Sequence, residues 1–261
     1  MKLMICGKGG SGKSTIAAML AKSFVKNGYS VLVIDTDESN YGLHRQLGVS
    51  LPPDFIGYFG GKKAVLEKIM KAMPDWGSIS FFNRPWSFAD IPAAYCSEKD
   101  GVKLIAIGKI HEVGEGCACS GGMLVKEFIG KLRLNPGDVV IIDTEAGIEH
   151  FGRGIEQCVD SILMVIDPSY ESLKLSEKVV ELGISIGKPV YFVLNKVDGS
   201  NEGVLRRTIS NRDAIISAIP ADAALSTAGL RGEEVPAGGK EILNLYRFLR
   251  EKNGGSQPAV P

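Results

Sequence analysis

Nine residues near the amino end, Gly7-Lys8-Gly9-Gly10-Ser11-Gly12-Lys13-Ser14-Thr15, carry the clearest chemical signal in the chain. Gly7 to Ser14 fits the spacing G-x-x-x-x-G-K-[ST], that of a loop whose backbone N–H groups cradle phosphate oxygens. Gly9, Gly10, Ser11 and Gly12 let the backbone come close to a phosphate, and a helix opening at Lys13 adds its positive end. The pattern predicts that Lys13 reaches the β and γ phosphates of a nucleoside triphosphate, that the Ser14 hydroxyl ligates Mg2+, and that Thr15 adds a phosphate contact. Lys8 is a second lysine that the spacing does not require. Asp143 ends an apolar run, where a carboxylate is placed to hold Mg2+ through water. Asp35 and Asp37 end another such run. Either end carboxylate could instead cap a turn.

A second cluster is Cys117-Ala118-Cys119, set in GEGCACSGG. Two thiolates at this spacing can face one soft metal ion, but a closed site usually takes four ligands. Two copies of the chain would supply four. A redox pair or simple burial explains the same spacing. His111 is a further donor within reach in sequence, and a lone histidine more often has a structural role. Cys6 and Cys158 sit in apolar contexts that predict core positions, and Cys96 is isolated.

The elements that must position these groups follow from hydrophobic patterning. Short, mostly β-branched runs at residues 2–6, 30–34, 102–107, 139–142, 161–166, 190–194 and 214–219 predict strands buried on both faces. Helical patterns at 62–73, 123–132, 173–186 and 240–252, and one from the phosphate loop to Gly28, alternate with them. The alternation predicts an α/β fold: a doubly wound, mainly parallel sheet with helices on both faces. Residues 1–252 read as a single domain, with a helical insertion at about 51–97 that holds Trp76 and Trp86. The Gly, Ser and Pro-rich tail 253–261 reads as disordered.

Thirty basic residues balance thirty acidic ones, so no global charge draws the chain to nucleic acid or to anionic lipid. No apolar run approaches the roughly 20 residues of a membrane span. The first strand begins at Lys2 and leaves no room for a secretory signal, so the expected location is cytoplasmic. In that reducing setting the five cysteines read as core residues, redox thiols or metal ligands rather than as disulfides.

The phosphate loop with its early lysine resembles that of the MinD/ParA/nitrogenase-iron-protein class of ATPases. The resemblance implies ATP hydrolysis to ADP and a homodimer in which Lys8 reaches the partner's phosphates. It also makes Asp37 the start of a first switch that acts on the attacking water or near the metal. Asp143 to Gly147 becomes a second switch, with Gly147 near the γ-phosphate. Asn195-Lys196 and Pro220-Ala221-Asp222 become the base pocket. Many relatives have Asp-Pro where this chain has Asp37-Glu38. The Cys-x-Cys segment and Ala146-Gly147-Ile148-Glu149-His150 further resemble the CooC-type ATPases, over about residues 1–252. That likeness implies nickel, or zinc in its absence, held by Cys117 and Cys119 across the dimer. It implies delivery to a client, carbon monoxide dehydrogenase or the related acetyl-CoA synthase, with no nucleic acid or membrane partner. Two readings compete: an iron–sulfur ATPase like the nitrogenase iron protein, and a MinD/ParA-like positioning ATPase.

Overall fold

The structure, a computed structural model, describes residues 1–72, 79–111 and 119–252. In chain order its strands are β1 (Lys2–Gly7), β2 (Ser30–Asp35), β3 (Ser97–Lys99), β4 (Val102–Ala106), β5 (Asp138–Asp143), β6 (Ser161–Ile166), β7 (Val190–Val197) and β8 (Ile215–Pro220). The α-helices are α1 (Lys13–Lys26), α2 (Leu43–Leu47), α3 (Gly61–Ala72), α4 (Cys119–Lys131), α5 (Tyr170–Ser185), α6 (Glu202–Thr208), α7 (Ala223–Arg231) and α8 (Lys240–Lys252). The strands form one sheet in the order β3-β4-β2-β5-β1-β6-β7-β8. Every neighbouring pair is parallel except β3 with β4. The doubly wound expectation holds, with one short antiparallel edge strand added.

Alternation along the strands explains the two-sided burial. Met4, Cys6, Leu32 and Ile34 belong to the core on one face of the sheet. Leu3, Ile5, Val31 and Val33 belong to the core on the other. A side chain of this kind contributes about 1.5–3 kcal/mol when fully buried. The second core is closed by α8, whose apolar stripe Ile242, Leu245, Tyr246 and Leu249 faces inward. Tyr246 meets Phe24 of α1 edge-to-face at 5.1 Å. No helix of the described residues is long and apolar enough to cross a membrane.

The stretch at 51–97 is less regular than expected. Among its described residues are one α-helix, α3, three short 3-10 turns (Phe55–Phe59, Phe88–Asp90 and Ala93–Tyr95) and the start of β3. Trp76 and the tail 253–261 lie outside the described residues. Aromatic packing holds the stretch to the body. Phe82 meets Trp86 at 4.9 Å, and Phe55 meets Phe128 of α4 at 5.0 Å. The main chain joins in: Trp86 N donates to Lys131 O at 3.1 Å, and Arg133 N to Trp86 O at 2.6 Å.

Phe128 is fully buried at the centre of this cluster. Phe128→Ala should destabilise the protein by about 3–5 kcal/mol, through lost transfer energy and the cavity left behind. Urea unfolding followed by far-ultraviolet circular dichroism measures the shift. A midpoint close to the parent's would show that the insertion does not depend on this ring.

Candidate functional site

The loop between β1 and α1 sits at the carboxyl edge of the parallel strands, where doubly wound sheets bind ligands. Gly12 precedes α1 with φ +101°, a left-handed conformation open to glycine. A Cβ there would lie 2.2 Å from Asn195 Nδ2, so the side chain is excluded by contact as well as by backbone angle. The first turn of α1 has no side-chain cap and no acidic residue, which leaves its N–H groups for an anion. Lys13 is nearly buried, and its Nζ donates to Lys8 O at 3.2 Å across the loop.

Behind the loop, Ser14 Oγ donates to Asp143 Oδ2 at 2.6 Å. Asn40 completes the triangle, donating through Nδ2 to Ser14 Oγ at 2.8 Å and to Asp143 Oδ2 at 3.3 Å. Asp143 is fully buried and its Oδ1 has no hydrogen-bond partner. Burial, and then the neighbouring Asp35, push its carboxyl up to about 7. An orphan acceptor beside a hydroxyl fits a hard cation or a water bound to one. When bound, Mg2+ neutralises phosphate oxygens there; Ser14 and Asp143 are the residues placed to hold it. Asp37 and Asn40 line the same cavity. Asp37 Oδ1 accepts from Ser39 N at 2.9 Å and Ser39 Oγ at 2.6 Å, so its turn is closed without the Asp-Pro of many relatives.

The segment from Thr144 to Arg153 lies against the loop. Gly147 N donates to Gly7 O at 3.2 Å, and Thr144 Oγ1 to Ile5 O at 2.9 Å. Arg153 pairs with Glu145 at 2.8 Å. Between them, His150 is 1% exposed, and neither ring nitrogen has a hydrogen-bond partner. Burial first, then the positive charges of Arg153 and Lys13, hold its imidazole down at about 3.

On the other side, Asn195 and Lys196 lie within β7 rather than after it. Asn195 Nδ2 donates to Ser11 O and Lys196 Nζ to Gly10 O, both at 2.7 Å. Their side chains therefore brace the phosphate loop, while both also line the cavity. That cavity measures about 650 Å3 and continues to Pro220 and Asp222. Asp222 Oδ1 caps α7, accepting from Ala224 N at 2.7 Å and Leu225 N at 3.1 Å. Ala221 N donates to Val197 O at 2.9 Å, which fixes the turn after β8. Leu225, Ser226 and Gly229 of α7 form a further wall. Sequence reasoning missed this helix, although Asp222 three residues before an apolar residue is a legible N-cap signal.

Lys8 points away from Lys13. Its Nζ lies 3.0 Å from Glu171 Oε2 and 3.3 Å from Ser169 Oγ, at the start of α5. Cys117 lies outside the described residues, and Cys119 is described only as the first residue of α4. Among the described residues, no three His, Cys, Asp or Glu side chains are grouped to hold a metal ion. His111 Nε2 contacts Asp54 Oδ2 at 2.8 Å. Cys6 is buried, and burial pushes its thiol up to about 12. Cys158 is half-buried and donates to Lys126 O at 3.5 Å.

Comparison with known proteins fits this geometry. Residues 3–235 match the CobQ/CobB/MinD/ParA nucleotide binding domain. An uncharacterized ATP-binding protein of Methanocaldococcus jannaschii, MJ0084, is 49% identical over 95% of this chain and 99% of its own length. The carbon monoxide dehydrogenase accessory protein CooC of Rhodospirillum rubrum is 31% identical over 89% of this chain and 88% of its own. In fold, the chain is similar to the septum site-determining protein MinD of Pyrococcus horikoshii, solved with Mg-ADP. The TM-score is 0.70 at 18% identity, with 99% of both chains covered.

Two outcomes follow from the site. Gly12→Ala should weaken nucleotide binding by about one to two decades, since left-handed strain costs about 1–3 kcal/mol before the clash with Asn195 is counted. Isothermal titration with MgADP measures it, and an unchanged affinity would show that the loop tolerates a Cβ. The second outcome concerns His150. An imidazole whose folded-state value drops from 6.5 to about 3 leaves the unfolded chain to take the proton first. Its contribution to stability is therefore intact above pH 6.5 and is lost as pH falls toward 3. From pH 7 to pH 5 the loss is about 2 kcal/mol. His150→Phe should flatten the acid side of the stability profile by that amount in denaturant titrations. Parallel profiles for parent and variant would contradict the burial of a neutral ring.

Proposed function

We propose, from the premise that the chain belongs to the CobQ/CobB/MinD/ParA nucleotide-binding family, that this P-loop ATPase is an ATP-gated dimerising switch. The observation that carries the proposal is the separation of the two lysines of one loop. Lys13 is nearly buried and turned to the phosphate cavity, whereas Lys8 lies at the surface beside Glu171 and Ser169. A lysine in an exposed, water-screened ion pair leaves it at little cost. A phosphate of a second copy is a stronger partner, because a charge-assisted contact to a desolvated phosphate exceeds one to a solvated carboxylate. ATP bound through Lys13, Ser14 and Asp143 with Mg2+ would then close two chains face to face, with Lys8 crossing between them. Loss of the γ-phosphate would release the Lys8 and Gly147 contacts and open the pair. Asn195, Lys196, Pro220 and Asp222 would hold the base.

What the switch serves has two readings. A MinD/ParA-like positioning role has the broader support: the family match, with a fold likeness along the whole chain. The nickel-delivery role adds support of another kind. The CooC protein is 31% identical, and the sequence carries Cys117-Ala118-Cys119 at the entry to α4. In that version two chains offer four thiolates on their symmetry axis, and a metal site and a nucleotide site are completed by one closed arrangement. Each ligand must then tighten the other by linkage. Nickel, or zinc in its place, is cargo here, and the client is a nickel enzyme.

Light scattering with a non-hydrolysable ATP analogue should show a dimer for the parent. Lys8→Ala should keep nucleotide binding and lose the dimer, and Lys13→Ala should lose hydrolysis. Full dimerisation of Lys8→Ala would remove the switch mechanism. For the metal, equilibrium dialysis should give roughly one nickel per two chains, tightest with the analogue, and none in Cys117→Ser, Cys119→Ser. An affinity indifferent to nucleotide would discard nickel delivery and leave the positioning reading in place.

A further inference from the structure

Lys109 has no exposed surface, and its ammonium is paired with a carboxylate that is itself buried. It follows β4, on the segment that leads from the sheet toward residue 111. Its Nζ donates to Asp35 Oδ2 and to Asp37 O, both at 2.6 Å. Asp35 uses its other oxygen, Oδ1, to accept from Asp37 N at 3.1 Å. The two ends of the Asp37 residue are thus gripped together, its N–H by Asp35 and its C=O by Lys109. The lysine is itself fixed. Its N–H donates to Asp54 Oδ2 at 3.0 Å, and its C=O accepts from Lys62 Nζ at 2.7 Å. The next residue continues the seam: Ile110 N donates to Glu38 O at 3.2 Å, and Tyr41 Oη to Ile110 O at 2.5 Å. The Tyr41 ring covers the ammonium at 5.9 Å.

A buried ion pair is weak evidence of stability, because a packed apolar replacement is often as stable. A lysine held this deeply needs another use, and the seam supplies one. We infer that Lys109 is a positioning residue for ATP hydrolysis, locking the Asp37 backbone so that its carboxylate faces the nucleotide cavity. The inference rests on reading Asp37 as the group that acts on the attacking water. Nothing in the sequence motifs marks Lys109, since its partners lie 72 and 74 residues away.

The test must separate positioning from simple charge neutralisation. Asp35→Asn, Lys109→Met removes both charges and leaves no orphan ion. The expected result is a melting temperature near the parent's, MgATP affinity within about threefold, and a kcat lowered about ten- to a hundredfold, the scale of a misplaced catalytic group. Lys109→Arg, which keeps the charge and shifts its donors, should show the same split between affinity and kcat, and stands in if the double variant does not fold. In an Asp37→Asn background, Lys109→Arg should lower kcat no further, because both changes act through one group. Parent-like kcat in the double variant or in Lys109→Arg overturns the inference, as does a loss confined to MgATP affinity. Parent-like kcat in Asp37→Asn would instead fail the reading of Asp37, and the inference with it.

Discussion

Two carboxylates side by side in a dry sheet are the constraint around which this site is arranged. Asp35 and Asp143 are register partners at the carboxyl ends of β2 and β5, and both are buried. Taking such charges out of water is costly, and the charge of Asp35 raises the proton affinity of Asp143. The carboxyl of Asp35 is pushed up to about 6 by burial, against the pull of Lys109. Asp143 instead has Ser14 and Asn40 at hydrogen-bond distance, and one oxygen left over. The asymmetry divides the labour. The carboxylate compensated by a protein cation stays a structural anchor, and the one left short of a partner is the one equipped for a metal.

That division also fixes the surrounding chain. The phosphate loop is held from three directions: by Gly147 through Gly7, by Asn195 and Lys196 through Ser11 and Gly10, and by Asp143 through Ser14. These braces come from the ends of two strands and the loop beyond one of them, so the phosphate loop is tied to the ends of β5 and β7 together. The parallel sheet makes this convergence unavoidable, because it brings all those ends to one edge.

Much of this was legible in the sequence, for a physical reason. Gly7 to Ser14 is a continuous motif, and its neighbours Asp37, Asp143 and Asn195 each end or close an apolar strand run. Local pattern therefore located them. Asn40 and Lys109 were not legible, and α7 was legible only at its Asp222 cap. Asn40 and Lys109 sit in irregular segments, and their roles exist only through partners far away in the chain. The short α2 and α6 carry too few apolar residues for their period to stand out. The insertion at 51–97 misled in the opposite way. It was expected to be helical, but the rings of Phe55, Phe82 and Trp86 are spent on an aromatic cluster that one 3-10 turn and irregular chain supply.

The start of α4 shows how a change at the nucleotide can leave the site. Gly122 has no Cβ, and the stem of Arg153 fills the space, coming within 2.6 Å of where that atom would be. Arg153 in turn holds Glu145, two residues past Asp143. One residue earlier, the corresponding space at Gly121 lies 3.7 Å from Glu38 Oε1, next to Asp37. Two adjacent glycines thus leave room at one helix end for the side chains of Arg153 and Glu38. A displacement of either loop cannot be absorbed by a flexible side chain at Gly121 or Gly122, because neither residue has one. It has to be taken up by Arg153 or by the helix as a body, and the first residue of that helix is Cys119.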